Sequence, residues 1–376
     1  MAGIIKTFTA NVFINSEKTF KITPFCRYFE ILRIKVSKQR IFIATFALQN
    51  IMMTEFEQIR ADLSCELEQL NAIIAESLHS DNALMQHIVV EFLKAKGKQI
   101  RPMLSILTGK LFGGELRTIL MAAASVELLH NASLIHDDVI DESAVRRGRP
   151  TINRVWDNHI AVLVGDFFVS SALSCGVASG EPNVVKVLAN RGRELSLGEI
   201  NQIEATRKPS ISEEQYYDTI RRKTAALFCS CVEVGGYAAG APADMQAKVV
   251  KYAELFGMCF QIKDDIFDYF NDSAIGKPTG NDLREGKRTL PLIHVLSRTD
   301  LPDHDAMVAL SEKHQLTAEE IDTLIAYARN NGGIEYAEQQ MLKLRDEAFA
   351  ILDELPQCPE VQAFKSLFSF VIERKM

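Results

Sequence analysis

The chain has 376 residues, 47% of them hydrophobic, and a formal net charge of −7. That length supports one large buried core or two ordinary ones, and the acidic balance argues against nucleic acid as a partner. The seven cysteines (Cys26, Cys65, Cys175, Cys229, Cys231, Cys259 and Cys358) form no C-x-x-C pair and no Cys/His metal spacing, so a reduced, cytoplasmic chain is the plain reading.

Residues 1–52 stand apart from the rest of the chain. Eight Lys/Arg against Glu17 and Glu30 give this stretch a local charge of +6 and leave −13 for the remainder. Its longest apolar run, "IFIATFALQNIMM", is too short to span a bilayer and carries no small-residue cleavage site. Two readings stay open: an organelle-targeting segment, or a start at Met52 or Met53 with the preceding residues outside the working protein.

From residue 53 to 376 the periodicity predicts one helical domain. Phe56, Ile59, Leu63, Leu67, Leu70, Ile73, Ile74 and Leu78 recur three or four apart and predict a helix over 53–79. Residues 117–136 and 160–179 are apolar or small almost throughout, as in helices buried on most sides. Residues 183–205 and 244–270 repeat the amphipathic pattern, and the last 60 residues hold two or three more helices. Loops are expected at "GRP" 148–150, "GEP" 180–182, "KPS" 208–210, "GAPAD" 240–244 and "GKPTGNDLREGK" 276–287. Sustained period-2 alternation is absent, so the expected fold is all-α, a bundle of ten or more helices.

The chemistry concentrates at the ends of two apolar helices. "LIHDDVIDESAVRRGRP" places Asp137, Asp138 and Asp141 where i,i+3 and i,i+4 spacing turns their carboxylates to one side. "FQIKDDIFDYF" places Asp264, Asp265 and Asp268 at the same spacing, again behind a long apolar run. One such cluster could be a solvated helix end. Two are hard to explain that way, because enclosed charges ~6 Å apart repel by about 3 kcal/mol per pair at an effective dielectric of ~20. Cations remove that cost. Hard oxygen ligands without His or Cys favour Mg²⁺, which takes one or two carboxylates and completes its shell with water and phosphate oxygens. A phosphorylated substrate follows. Arg146 and Arg147 after the first cluster, and Lys98 and Arg101 in "KGKQIRP", supply the fork and point charges that grip phosphate.

With "GKQIRP", "VGDFF", "RRKTAALF" and "GKPTGNDLREGKRTLPLI" added, the chain resembles the trans-isoprenyl diphosphate synthase family, and within it the long-chain polyprenyl branch (octaprenyl, heptaprenyl and solanesyl types). The resemblance runs over about residues 90–295. It implies a helical bundle around a deep central cavity, with the two Asp clusters facing each other across its mouth. Asp137, Asp141 and Asp264 would bind two or three Mg²⁺, with Mn²⁺ as a substitute, and Asp138, Asp265 and Asp268 would support them. Arg146, Lys223 and Lys277 would hold the allylic diphosphate, a geranyl, farnesyl or geranylgeranyl primer, and Lys287 would close over it. Lys98, Arg101, His130 and Arg147 would hold isopentenyl diphosphate. Lys223, Thr224, Gln261 and Lys277 would serve the chemical step. The resemblance further implies a homodimer and delivery of a long product to a membrane, by an enzyme peripheral to it.

The short-chain Gly-Gln-x-x-Asp element reads "GEINQ" here, which leaves the roles of Glu199 and Gln202 open. Ala132 and Ser133 are small where farnesyl-type members carry an aromatic or an insertion, so the product should exceed C20, about C30–C45. Phe167 and Phe168 are the candidate floor. Two other classes compete. A class I terpene cyclase shares the first DDxxD but typically replaces the second with an Asn/Asp…Ser/Thr…Glu pattern, and a non-catalytic subunit of a heteromeric synthase usually loses one cluster.

Overall fold

The periodicity becomes helices in the computed structural model, which describes residues 54–95, 97–146, 148–205, 211–270, 280–313 and 315–374, and the backbone alone for 201–205. In chain order these are α1 Glu55–Asp62, α2 Ser64–Ser77, α3 Ala83–Leu93, α4 Ile100–Leu111, α5 Leu116–Ile140, α6 Ile152–Val155, α7 Asn158–Ala178 and α8 Pro182–Ala205. They continue with α9 Glu213–Ile220, α10 Ala226–Ala238, α11 Ala243–Phe267, α12 Asn281–Arg284, α13 Leu290–Leu296, α14 His304–Ser311, α15 Ala318–Asn330, α16 Gly333–Asp353 and α17 Pro359–Glu373. The fold is all-α, as expected. The basic stretch 1–52 and the "KPS" turn lie outside the described residues.

Two expectations need correction. The helix over 53–79 is broken at Leu63, whose φ of −99° and ψ of 12° end α1 and begin α2. The break is local: Leu63 N–H still bonds Ile59 O and Leu67 N–H bonds Leu63 O, so Phe56, Ile59, Leu63, Leu67 and Leu70 keep one buried face. The "RRGRP" loop contains a hairpin, in which β1 (Val145–Arg146) pairs antiparallel with β2 (Arg149–Pro150). Gly148, at φ +72°, makes this tight reversal accessible. Two-residue strands leave no periodic trace in sequence.

α5 is the centre. It packs most extensively along α7 and also meets α2, α4 and α10. Its run of Ala122, Ala123, Ala124 and Ser125 is buried and lets neighbours approach. At its far end His136 fills the place a side chain on Gly165 would need: a Cβ there would fall 2.1 Å from His136 Nε2. Beside it, α10 packs on both α5 and α11 and separates them. The α10–α11–α17 seam is aromatic. Phe228, Phe256, Phe364 and Phe368 are fully buried there, each contributing about 2–3 kcal/mol by the area removed from water. Both aspartate clusters thus sit at C-terminal ends of helices fixed by dense packing.

Candidate active site

The first cluster closes α5. Asp141 is the C-cap residue, its backbone N–H bonded to Asp137 O, and Asp137 lies one turn earlier. Asp138 is buried and accepts from Arg146 Nε at 2.7 Å, so the hairpin delivers its arginine onto the cluster. Asn153 Nδ2 donates to Asp138 O and Ser143 O, fixing the turn between helix and hairpin. Asp137 and Asp141 accept no side-chain hydrogen bond among the described residues. Burial pushes the Asp137 carboxyl up to about 6; Lys223 and Arg146 oppose the shift, while Glu199 and Asp141 add to it. Burial likewise raises Asp138, against Arg146.

The second cluster closes α11, and more of its oxygens are engaged. Asp264 Oδ1 accepts from Arg374 at 2.6 Å. Asp265 is buried and accepts from Tyr216 Oη at 2.6 Å and from Gln261 Nε2 at 2.7 Å. Asp268 accepts from the backbone N–H groups of Asn281 and Asp282, each at 3.0 Å, and so caps α12. Asp264 keeps 41% of its side-chain surface open, and the burial of the rest raises its pKa against Arg374, Arg101 and Lys98. Burial and neighbouring carboxylates raise Asp265 and Asp282 together.

Between the clusters the chain departs from α-helical geometry. Arg221–Ala225 forms a π turn in which Ala226 N–H reaches Arg221 O. Such turns are frequent at functional sites because they re-aim side chains. This one carries Lys223, bonded to Glu199 Oε2 at 2.8 Å, and Thr224, which donates to Gln261 Oε1 at 2.7 Å. The close approach depends on Gly257: a Cβ there would lie 2.5 Å from Ala225 Cα.

A cavity of about 410 Å³ is lined by Lys223, Thr224, Gln261, Asp265, Asp282 and Lys287, among others. Burial tends to lower the Lys287 pKa, but its hydrogen bond with Glu285 and the charges of Glu285, Asp282 and Asp141 raise it overall. Lys287 therefore feels both ends, Asp282 beside the second cluster and Asp141 of the first. Lys98 and Arg101 both act on Asp264 by their charge and lie over the rings of Phe370 at 5.2 Å and Phe228 at 4.4 Å. His130 is buried on the Asp137 side of α5. Arg147, Lys277 and the Gln202 side chain lie outside the described residues.

The four residues expected to set chain length are placed differently. Ala132 is buried, and Ser133 donates to His130 O at 2.9 Å. Phe168 is fully buried, edge-on to Phe92 at 5.1 Å, and Phe167 is half-buried. None of the four lines this cavity or a second one of about 550 Å³, which opens on the Asn131–Asp138 face of α5.

The donor set fits a hard divalent cation. Raised carboxylate pKa values mean that the negative forms lack compensation, which a cation supplies. Among the described residues no group of three or more ligating side chains converges on one point. Mg²⁺ suits that arrangement, since it needs only one or two carboxylates when diphosphate oxygens and water complete its octahedron.

Sequence reasoning passed over Tyr216, Asp282 and Arg374. Asp282 stands inside a recognisable motif, "GNDLREGK", but Tyr216 and Arg374 carry no local signal; their roles arise from contacts 49 and 110 residues away.

An all-α bundle with an aspartate cluster ending each of two central helices, and with Lys223 and Lys287 lining a cavity beside the second, belongs to the isoprenoid-synthase class. The polyprenyl synthetase family model matches residues 82–328. An all-trans-nonaprenyl-diphosphate synthase (geranyl-diphosphate specific) of Rhodobacter capsulatus is 34% identical over 329 residues, spanning 86% of this chain and 99% of the relative. The crystal structure of a decaprenyl diphosphate synthase from the same organism superposes with a TM-score of 0.78 at 35% identity, covering 85% of this chain and 98% of that one. A polyprenyl synthase from Caulobacter crescentus CB15, crystallised with calcium and isoprenyl diphosphate, gives 0.79 at 27% identity, over 85% of this chain and 98% of that one. The chain belongs to the polyprenyl synthetase family, and it is a prenyltransferase.

Proposed function

We propose that this chain lengthens an allylic diphosphate by successive head-to-tail additions of isopentenyl diphosphate, to a product longer than C20. The observation that carries this is the pair of aspartate clusters ending α5 and α11, with Lys223 in the field of Asp137 and Lys287 in the fields of Asp141 and Asp282.

Asp137, Asp141 and Asp264 would hold Mg²⁺; the first two accept no other side-chain bond among the described residues, whereas Asp264 is shared with Arg374. Bound Mg²⁺ supplies positive charge that makes pyrophosphate a good leaving group. Asp138, Asp265 and Asp268 are engaged by protein donors and keep the helix ends in shape. Arg146, Lys223, Lys277 and Lys287 hold the allylic diphosphate, so that its C1–O bond breaks with the electron pair going to pyrophosphate. Thr224 donates its proton to Gln261, which leaves the Thr224 lone pairs free to face the carbocation. Lys98, Arg101, His130 and Arg147 hold isopentenyl diphosphate and aim its double bond at that carbon. The new C–C bond forms, a proton leaves to a pyrophosphate oxygen, and the chain is one isoprene unit longer.

The small Ala132 and Ser133 beneath the first cluster, and relatives named for nonaprenyl and decaprenyl products, support the long-chain assignment. Those two names differ by one unit, so overall similarity does not fix the length. The exposed apolar side chains Val162, Leu163, Leu173 and Val177 of α7, with Leu197 and Ile200 of α8, support a homodimer through that face. We place the enzyme in the cytoplasm, releasing its product to a membrane.

The test is incubation of purified protein with Mg²⁺, farnesyl diphosphate and labelled isopentenyl diphosphate, followed by chromatography of the products. Labelled polyprenyl diphosphates beyond C20 are expected. A cyclic hydrocarbon with no label would indicate a cyclase, and turnover only with a second protein would indicate a subunit.

A further inference from the structure

The last described residue of the chain, Arg374, bonds directly to an aspartate of the second cluster. α17 runs parallel to α11: Tyr252 Oη donates to Phe364 O at 2.7 Å, Phe256 packs against Phe368, and Arg374 then reaches Phe260 and Asp264. Phe260, Asp264 and Phe267 lie at i, i+4 and i+7, one stripe of α11. The Arg374 guanidinium sits 4.1 Å from the centre of the Phe260 ring and 5.3 Å from that of Phe267. Only 7% of its side chain is exposed.

The grip has a weak point. Nη2 makes both hydrogen bonds, to Phe260 O at 2.9 Å and to Asp264 Oδ1 at 2.6 Å, while the buried Nε has no partner among the described residues. A guanidinium at its strongest meets a carboxylate with two nitrogens side by side. Arg374 meets Asp264 with one, and Lys98 and Arg101 crowd the same carboxylate with like charge.

We propose that Arg374 and the catalytic divalent cation compete for Asp264, so that the C-terminal turn is an internal counter-ion which metal must displace from the second cluster. This rests on the prenyl-transfer reading, which makes Asp264 a metal ligand. Arg374 is a positioning residue: it sets how readily metal loads and where the end of α17 lies, and it touches no reacting atom. Linkage makes the effect reciprocal, because whatever loosens Arg374 tightens metal by the same factor.

The experiment measures binding rather than turnover. Mn²⁺ is titrated into the full chain in the presence of inorganic pyrophosphate and followed by electron paramagnetic resonance, for wild type, R374Q, R374K, D264N and the double variant R374Q/D264N. R374Q should bind Mn²⁺ about tenfold more tightly than wild type, within the usual range of coupling between sites. R374K keeps the charge but not the planar fork, and should fall between them. In the D264N background, R374Q should change nothing. Unchanged or weaker Mn²⁺ binding by R374Q and R374K, or an equal gain in the D264N background, overturns the competition. Because R374Q removes a buried contact, thermal melting accompanies each titration, and R374K alone decides if R374Q does not fold. A wild type that elongates isopentenyl diphosphate while its variants show no shift defeats only this inference; a wild type that makes no product defeats the prenyl-transfer reading itself.

Discussion

At the end of α5 a single arginine bonds one of three aspartates, whereas at the end of α11 every aspartate has a donor of its own. The two sequences, Asp137–Asp141 and Asp264–Asp268, have the same spacing and meet different surroundings. The first meets a hairpin whose arginine engages Asp138 alone, so Asp137 and Asp141 keep their oxygens uncommitted among the described residues. The second is wrapped by α9, α12 and α17, which commit Asp265 and Asp268 to holding the fold and leave Asp264 as its usable ligand. The repeated motif therefore describes two unequal halves: a broad acidic platform, and a rigid wall with one ligating position.

The largest effect should come from the open carboxylates. Asp137→Asn should lower kcat by about 10³, as when a group stabilising transition-state charge is removed, with little loss of stability. Asp268→Asn should behave in the opposite way. Its NH₂ group replaces one of the two acceptor oxygens and faces an N–H donor, leaving the Asn281 and Asp282 N–H groups a single oxygen between them, at a cost of about 1–3 kcal/mol of stability and a smaller share of kcat. Isopentenyl diphosphate incorporation and thermal melting, measured on both variants, separate the two roles. Equal losses in both assays would make the clusters equivalent and end the comparison.

Tyr216→Phe probes the wall. It leaves Asp265 Oδ2 without its donor in a buried setting, so Asp265 loses one of the two contacts that orient it toward Gln261. A roughly tenfold fall in kcat is expected, in line with about 1–3 kcal/mol for a buried polar group left without its partner. In a double variant with Asp265→Asn the tyrosine effect should largely vanish; persistence would place Tyr216 outside the network.

Much of the molecule is legible in its sequence, and the boundary is physical. Helix positions follow from apolar spacing, and α5, α7 and α11 fall within a few residues of expectation, because burial on one face leaves a periodic mark. Asp137 and Asp264 are legible because unneutralised charge behind an apolar run is locally inconsistent. The π turn at Arg221–Ala225 is not, since its five residues have ordinary helix-forming composition and the Gly257 that leaves room for Ala225 lies 32 residues further on. Nor is Arg374. A lone arginine near a chain end carries meaning only once α17 is laid along α11.

pH offers a graded test of the platform. Asp137 has a folded pKa of about 6, above the ordinary aspartate value of 3.8. Protonation thus favours the folded state, and the cost of the charged form is greatest above about 6 and vanishes as pH falls toward 4. Asp138, Asp264 and Asp265 shift in the same direction. Protein held in chelator should therefore melt at a higher temperature at pH 5.5 than at pH 7.5. Its affinity for Mn²⁺ should weaken by up to about tenfold per unit below 6, where a proton competes for the same oxygen. A melting temperature that falls over this interval would mean that the platform's charges are already compensated.

The smallest effect on rate, and the sharpest on product, is expected below the platform. His136 lies against Gly165 of α7, and Ala132 is one turn earlier on the same face of α5, with 1% of its surface exposed. Ala132→Phe must either displace α7, at about 1–3 kcal/mol for overpacking, or turn its ring away from α7 toward the Ser133 side of α5, one turn below Asp137. In the second case the ring stands across the path of the growing chain, and the product should shorten to about C15–C20 while the rate of the first addition changes little. Chromatography of the product ladder reports the path, and thermal melting reports the overpacking. Long products from a destabilised variant would show that Ala132 serves only the contact between α5 and α7, and that the chain grows along another face of the platform.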